Sequence, residues 1–529
     1  MKSLMKKVFA AAAAIATVFG LAATTVATAN AAGGNATLTV STTDAKFAGK
    51  TVNAYKMFSA TVSGDGQAVS YTLTDEWKPF FKNSVGLTGV TDENVNDKAN
   101  DYVSKLKDST LVAFATKASN WAQTKANNIT ADATATVSAD ASNGKYTATF
   151  TGLGYGYYVV AVPGATLANA KSQYATLVSV HSTKVDADIK GDLPTVDKKV
   201  QVDGTGKDAT DAKIGDTLTF TLTSTIPDMS AYDTYTFNFK DTLSKGLTFG
   251  QVKSVKVENV TLTENTDYTV TTPTASNNNT LTVAMKDFKT KQQANAGKKI
   301  TVTYTATLNE NAVVGGAGNV NSAKIQYSNN PSTNGTGESE PSKVRVFTYG
   351  FTVDKYTGDQ YTDAATRLAG AEFTLAHKDG SAISFVQVSA GSATANAVYR
   401  VAKAGETGTT TITTPANGKV VFEGLKNGEY TLTETKAPAG YNKLASAIGV
   451  KVNGQNNGTD TTNATVTITY NNDNGNDYNQ TASNGVIPVQ NKSGAILPGT
   501  GGMGTIAFTV IGVLVIALGV AWTLKRKNA

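Results

Sequence analysis

Short runs in which β-branched or aromatic residues alternate with polar residues recur along the chain. The clearest are residues 36–40, 145–150, 217–222, 300–306 and 464–470. Successive side chains of a strand point to opposite faces, so a period of two is typical of strands with one buried face. Gly, Asn and Asp residues that favour turns separate the runs. The pattern predicts a mainly β protein built from antiparallel sheets.

One segment departs from this alternation. Residues 93–125 have few turn signals and apolar residues at helical spacing, which predicts one or two helices as an insertion in the first domain. Two loop-like joints, residues 191–195 and residues 329–342, divide the rest of the chain. We therefore expect three tandem immunoglobulin-like β-sandwich domains, at residues 32–190, 191–342 and 343–496.

The first 31 residues have the pattern of a secretory signal peptide. Lys2, Lys6 and Lys7 precede an apolar run, and Ala29 and Ala31 fit the small-residue rule for cleavage. A membrane anchor is the alternative, but this run is rich in alanine and a cleavage site follows it. We expect residues 1–31 to be removed on export.

The other end of the chain combines three features in order. Residues 505–524 are almost wholly apolar and long enough to cross a membrane as one helix, and a basic tail, residues 525–529, follows them. The motif before them consists of Leu497, Pro498, Gly499, Thr500 and Gly501. This order resembles the cell-wall sorting signal of Gram-positive surface proteins. The resemblance implies that a sortase cleaves after the threonine and passes its carbonyl to an amine; an ordinary single-span membrane protein is the alternative.

The net charge of +6 comes from the two ends of the chain. Each end carries three basic residues with no acid nearby, and the remaining chain has equal numbers of acidic and basic residues. A nucleic-acid partner is therefore not indicated. The chain has no cysteine, which excludes disulfides, thiolate metal sites and a cysteine nucleophile.

An exported β-sandwich without disulfides has another covalent link available, an isopeptide bond between lysine and asparagine side chains. The bond needs the amine, the carboxamide and an acid in one apolar core. Burial lowers the pKa of the lysine towards a neutral nucleophile and raises the pKa of the acid, which then assists the loss of ammonia. Because such a bond joins the first and last strands, we expect a lysine near the start of a domain and an asparagine near its end.

The third domain has this arrangement. Lys355 lies near its start and Asn491 near its end, and residues 428–441 (GEYTLTETKAPAGY) resemble the E-box strand of collagen-adhesin B-type (CnaB) domains. The alternation places Glu434 on the inward face of that strand. We therefore assign Lys355 as the nucleophile, Asn491 as the acceptor and Glu434 as the catalytic acid.

The second domain contains residues 194–200 (PTVDKKV), residues 235–249 and residues 318–327 (GNVNSAKIQY). Their order resembles the isopeptide-forming middle domain of Gram-positive major pilins, in which an aspartate replaces the glutamate. The resemblance implies a triad of Lys198, Asp241 and Asn321. Strand parity favours Lys198 over Lys199, which remains an alternative, as Asn319 does for the asparagine.

The first domain resembles pilin N-terminal domains at residues 49–58 and 155–162, but its E-box-like strand has no acid, so no internal bond is expected there. Major pilins use one lysine just before the second domain to attack the sortase-bound threonine of the next subunit. The corresponding stretch is residues 185–190 (VDADIK), which implies Lys190. The Tyr-Pro pair of the family motif is absent, so Lys184 is kept as the alternative.

The resemblance covers the chain from end to end and implies the shaft subunit of a covalently polymerised pilus, with Lys190 of one copy joined to Thr500 of another. The implied partners are sortase, other copies of the chain, pilus tip or base subunits and peptidoglycan. A host receptor or matrix ligand is left open. The alternatives are a wall-anchored adhesin that does not polymerise and a pilus base subunit.

An enzyme that acts on an external substrate is not indicated. The two histidines, His181 and His377, have no triad or paired carboxylates around them in the sequence. The acidic stretch at residues 471–477 lacks the spaced ligands and terminal glutamate of a calcium loop. No metal and no cofactor are therefore expected.

Overall fold

The computed structural model describes residues 35–63, 68–166, 175–331, 334–362, 365–455, 464–472 and 477–494. The described residues divide into two compact units, those up to residue 348 together with 454, 455, 464 and 465, and the remaining ones from residue 349 onwards. The predicted signal peptide, sorting motif, apolar C-terminal segment and basic tail lie outside the described residues. Among the residues that are described, no helix is long and apolar enough to cross a membrane.

The first part of the first unit contains two sheets and a helical insertion. Its strands are β1 Ala36–Thr42, β2 Thr51–Val62, β3 Val69–Leu73, β4 Ala133–Thr136, β5 Tyr146–Leu153, β6 Gly156–Ala161, β7 Ala175–Val180 and β8 Lys184–Asp188. The sheet orders are β5-β1-β8 and β3-β2-β6-β7, with β4 on β2. The helices are α1 Lys78–Asn83, α2 Val95–Ser104 and α3 Asp108–Gln123. Both α2 and α3 lie within the segment where helices were predicted, and α3 buries Phe114, Ala118 and Ala122 at a spacing of four.

The second part of the first unit also has two sheets. Its elements are β9 Asp197–Val202, β10 Thr205–Lys207, β11 Ala209–Asp211, β12 Thr217–Thr225, β13 Phe237–Leu243, β14 Leu247–Val257, β15 Val260–Thr261, β16 Tyr268–Thr271, β17 Thr280–Met285, α4 Phe288–Gln292, β18 Lys299–Leu308, β19 Asn319–Ser328, β20 Thr336–Glu338 and β21 Ser342–Phe347. One sheet has the order β10-β9-β12-β18-β14-β15, and the other β11-β21-β19-β13-β17-β16, with β20 on β19. Because β21 pairs with β19, this part continues to Phe347, beyond the expected boundary at residue 342.

The second unit repeats the two-sheet arrangement. Its strands are β22 Tyr349–Thr357, β23 Thr366–Arg367, β24 Glu372–His377, β25 Phe385–Ser389, β26 Ala397–Val401, β27 Ile412–Thr413, β28 Lys419–Leu425, β29 Gly428–Lys436, β30 Ile448–Gln455, β31 Thr465–Asn471, β32 Gln480–Thr481 and β33 Val486–Gln490. The sheet orders are β23-β22-β28-β26-β25 and β27-β24-β29-β30-β31-β32. The last strand, β33, pairs in parallel with the first, β22.

The structure confirms the mainly β fold that the alternation predicts. Each of the five clearest runs falls in a strand: β1, β5, β12, β18 and β31. Alternate residues of β13 are buried, because one face of the strand covers the core. The multiple two-sheet domains and the helices of the first domain were both predicted from the sequence.

Candidate isopeptide sites

Two lysines, Lys198 and Lys355, are completely buried, and no other lysine of the described ranges is. Lysine is almost never fully buried unless it is paired, because removing its charge from water costs several kcal/mol. Both residues are the ones that the sequence assigned as nucleophiles. Their surroundings are therefore the two candidate sites.

The site of the middle domain is built from two facing sheets. Lys198 lies on β9 of one sheet, and Asp241 on β13 and Asn321 on β19 belong to the other. In the pairing of β13 with β19, Leu243 is opposite Asn321 and Asp241 is opposite Ala323. Since the side-chain period is two, the aspartate and the asparagine face the same core. All three predicted side chains are 0% exposed.

A tyrosine that the sequence reasoning did not name connects these three groups. The Lys198 ammonium contacts the Asp241 carboxylate. Lys198 Nζ also donates to Tyr304 Oη at 2.8 Å. The same hydroxyl donates to Asp241 Oδ2 at 2.6 Å and accepts from Asn321 Nδ2 at 2.6 Å. Tyr304 occupies an inward position of β18, so alternation signals a core hydroxyl, but only the fold brings it to Lys198.

Electrostatics favour a neutral amine at this site. Burial lowers the pKa of Lys198 to about 8, although Asp241 acts in the opposite direction. The Phe220 and Tyr304 ring centroids each lie 5.1 Å from Nζ, a cation–π arrangement that, like Asp241, favours the charged amine. The lowered pKa makes the neutral, nucleophilic form of the amine more available than in an exposed lysine.

Two buried oxygens of the site have no hydrogen-bond partner among the described residues. They are Asp241 Oδ1 and Asn321 Oδ1. Protein interiors satisfy nearly all of their buried polar atoms, and the exceptions call for an explanation such as a catalytic role. Unsatisfied oxygens on both the acid and the amide fit a site that is arranged for reaction.

The alternative residues have other partners. Lys199 is half-exposed, with its ammonium 2.6 Å from Asp208 and 3.3 Å from Asp197. Asn319 is buried, but its amide bonds to the backbone of Val313 and Val346. The fold thus brings Lys198 and Asn321 together and leaves these two aside. We expected the bond to join the first and last strands of a domain. Asn321 does not lie on the last strand, because β20 and β21 follow β19.

The site of the second unit joins the first and last strands, as expected. Lys355 lies on β22, and Asn491 comes directly after β33. Parallel pairing of these strands sets Lys355 opposite Val489, and the Asn491 backbone N–H donates to Tyr356 O at 3.0 Å. Glu434 projects from β29 of the other sheet. Lys355, Glu434 and Asn491 are 0%, 2% and 1% exposed.

Here the carboxylate itself reaches both reacting groups. Lys355 Nζ lies 3.2 Å from Glu434 Oε1, and Asn491 Nδ2 lies 3.0 Å from Glu434 Oε2. The Leu444 backbone N–H also donates to Glu434 Oε2, at 2.7 Å, and fixes the carboxyl group. Burial lowers the pKa of Lys355 to about 8, against the opposing effect of Glu434. The three predicted residues therefore form one buried cluster.

The predicted linkage lysine lies at the surface. Lys190 follows β8, its side chain is 31% exposed, and its one ion pair is a 3.3 Å contact with Asp188. Lys184, the alternative, is exposed at the first position of β8. Both are accessible, so exposure does not choose between them. Across the described residues, no group of three or more His, Asp or Glu side chains could hold a metal ion.

Two segments of the chain match known protein families. Residues 214–331 match the family model described as Gram-positive pilin backbone subunit 2, Cna-B-like domain, and residues 359–467 match the SpaA prealbumin-like fold domain. The chain is therefore homologous to the Gram-positive backbone pilins that its sequence resembles. One relative is the trypsin-resistant surface T6 protein of Streptococcus pyogenes serotype M6, 26% identical over 279 residues. That alignment covers 48% of this chain and 44% of the relative, so it spans less than half of either.

Two pilins are among the solved structures that align with this chain. The T6 backbone pilin of Streptococcus pyogenes, described as a modular three-domain structure, is 19% identical with a TM-score of 0.46, and the match covers 87% of this chain and 99% of that one. The full-length major pilin SpaD of Corynebacterium diphtheriae is 20% identical with a TM-score of 0.40, over 87% of this chain and 97% of that one.

Proposed function

We propose that this chain is the major backbone subunit of a covalently polymerised cell-surface pilus, strengthened by Lys198–Asn321 and Lys355–Asn491 isopeptide bonds. One observation carries the proposal: the two buried lysines of the described residues each lie in a cluster with an acid and an asparagine. Both clusters belong to a chain homologous to backbone pilins: Asp241 and Asn321 lie within the matched pilin segment, and Glu434 lies within the matched prealbumin-like segment. Burying a charged lysine costs free energy, so two buried lysines that take part in no reaction would destabilise their domains.

The internal bonds form by amide exchange. The neutral lysine amine attacks the asparagine side-chain carbonyl carbon, a carbon–nitrogen bond forms, and the bond to the original amide nitrogen breaks. The proton that the amine gives up is returned to the departing nitrogen, which leaves as ammonia. Asp241 and Glu434 promote this transfer as acids in a dry core, so the chain catalyses one turnover on itself and is otherwise structural.

Polymerisation uses the surface rather than the core. Sortase cleaves the motif after Thr500, and Lys190 of another copy receives the threonine carbonyl. Half-exposure of Lys190 supports this role, because an external enzyme must reach the amine. On this proposal residues 1–31 are the signal peptide, the three domains form the shaft, and residues 497–529 are the sorting signal. The further proposed partners of the chain are tip or base subunits, peptidoglycan and a host ligand.

The internal bonds predict the mass of the mature chain. The protein spanning residues 32–500 is expected to weigh two ammonia molecules less than its sequence, because each bond releases one. Intact-mass spectrometry measures this directly. A mass equal to that of the sequence contradicts both bonds, and the loss of one ammonia means that one of the two sites has not reacted.

The backbone role predicts the form of the protein at the cell wall. Immunoblots of enzymatically released wall extracts are expected to show a ladder of high-mass bands, because sortase-linked copies survive boiling in detergent. A single band at the monomer mass would instead support a wall-anchored adhesin or a base subunit. This alternative shares the sorting motif and both internal sites, so the ladder distinguishes it.

A further inference from the structure

The two candidate sites differ in how the acid reaches the leaving nitrogen. In the second unit, the Glu434 carboxyl spans both nitrogens, at 3.2 Å from Lys355 Nζ and 3.0 Å from Asn491 Nδ2. These are the two atoms between which the reaction must move a proton. The glutamate can therefore transfer it without another group.

The middle site cannot work in the same way. Asp241 is one methylene shorter than glutamate, and among the described residues no hydrogen bond joins it to Asn321. Tyr304 Oη fills the gap, at 2.8 Å from Lys198 Nζ, 2.6 Å from Asn321 Nδ2 and 2.6 Å from Asp241 Oδ2. One hydroxyl thus touches the nucleophile, the leaving group and the acid.

We propose that Tyr304 is a catalytic residue of the middle domain, whose hydroxyl carries the proton from the Lys198 amine to the departing Asn321 nitrogen. The proposal rests on the isopeptide bond put forward above and names the group that completes it. Tyr304 and Asp241 together do what the single carboxyl of Glu434 does in the second unit.

The transfer balances in protons and electrons. Lys198 Nζ forms a bond to the Asn321 side-chain carbon and gives one proton to Tyr304 Oη. The Tyr304 hydroxyl gives one proton to Asn321 Nδ2, whose bond to carbon breaks, and ammonia leaves. Before the reaction the Tyr304 hydroxyl hydrogen points to Asp241 Oδ2; it turns to Asn321 Nδ2 as the oxygen receives the lysine proton, and the tyrosine ends as it began, again bonded to Asp241.

The surroundings of Tyr304 suit a relay. The side chain is 0% exposed, and burial and Asp241 raise the pKa of its phenol well above the ordinary value, so it stays protonated between transfers. Its ring stacks on Phe220, with centroids 5.3 Å apart and planes at 18°. β-pairing sets the two aromatics opposite each other. The hydroxyl is therefore held in place before the reaction.

Tyr304→Phe in the full chain tests the relay. After pulse labelling, digestion and mass spectrometry measure the fraction of Lys198–Asn321 and Lys355–Asn491 cross-linked peptides over time. We expect the first bond to form about a hundredfold more slowly or not at all, the usual effect of losing a general acid–base group. The second bond should form at the wild-type rate. Formation of the first bond at the wild-type rate would overturn the relay.

Tyr232→Phe is the matched control. Tyr232 is buried in the same domain, and its hydroxyl donates to Ser328 O at 3.2 Å without touching the triad. This variant loses a similar buried hydroxyl and should keep both bonds. A loss of the Lys198–Asn321 bond in both variants would point to damaged folding and contradict a specific role for Tyr304.

Two further proteins separate catalysis from folding. Adding Asp241→Glu to Tyr304→Phe gives the middle site a carboxyl of the length used in the second unit, so the first bond should partly return; no recovery counts against the relay. Fluorotyrosine at position 304 keeps the ring and hydroxyl, so a relay changes the pH profile of bond formation, and an unchanged profile overturns it. If the wild-type chain lacks the Lys198–Asn321 peptide altogether, the proposed bond itself is wrong.

Discussion

Lys190→Ala is expected to abolish the polymer ladder and leave a single band in wall extracts. Alanine has no side-chain amine to attack the threonine that sortase carries. The Thr500 carbonyl of one copy therefore cannot be joined to another copy. The change removes a side chain that is 31% exposed and forms a 3.3 Å ion pair with Asp188, so the fold should remain intact. Immunoblotting of wall extracts gives the readout, and intact mass should still show both ammonia losses.

Lys184→Ala is the control for this prediction. Lys184 is also exposed and lies six residues before Lys190, on the first position of β8. Its replacement should leave the ladder unchanged. If Lys184→Ala removes the ladder and Lys190→Ala does not, the linkage lysine is Lys184, and the assignment from the family motif is wrong.

Glu434→Ala is expected to prevent the Lys355–Asn491 bond and to destabilise the second unit strongly. The carboxyl contacts both reacting nitrogens, so its removal leaves no group to move the proton. By analogy with disulfides that close loops of this length, losing the link costs about 4–5 kcal/mol. Intact mass should rise by one ammonia, and the unit should become sensitive to protease.

Two matched variants sharpen this result. Glu434→Gln keeps the shape of the side chain and one acceptor oxygen but cannot act as an acid, so it should also lack the bond. Glu429→Ala is the second variant. Glu429 lies on the same strand, and its half-exposed carboxylate pairs with Lys451 at 3.2 Å. Surface pairs contribute about 1 kcal/mol or less, so this variant should keep the bond and nearly all of its stability. Bond formation in Glu434→Gln would contradict the catalytic role of the acid.

Strand parity could predict the direction of individual side chains. It chose Lys198 over Lys199 and placed Glu434 inward, and the structure shows both side chains buried. The direction of each side chain follows from the sequence because a strand next to a core has a strict period of two. The asparagines were assigned from the resemblance to other pilins. In the structure Asn491 contacts Glu434, and Asn321 contacts Tyr304, which bonds to Asp241.

Contacts between distant strands could not be predicted in this way. Tyr304 is 106 residues from Lys198, and only the register of β9, β12 and β18 brings them together. Likewise, nothing in residues 319–328 shows that β20 and β21 follow within the same sheet. Sheet register depends on packing across the whole domain, which a local pattern does not contain.

The most direct test of the proposed backbone role is the chemical identity of the link between subunits. Polymers released from the cell wall are digested, and tandem mass spectrometry sequences the branched peptides. We expect a peptide in which the Thr500 carbonyl is joined to the Lys190 side-chain amine of another copy. Polymers joined through a different lysine, or Thr500 found attached only to peptidoglycan, would contradict it.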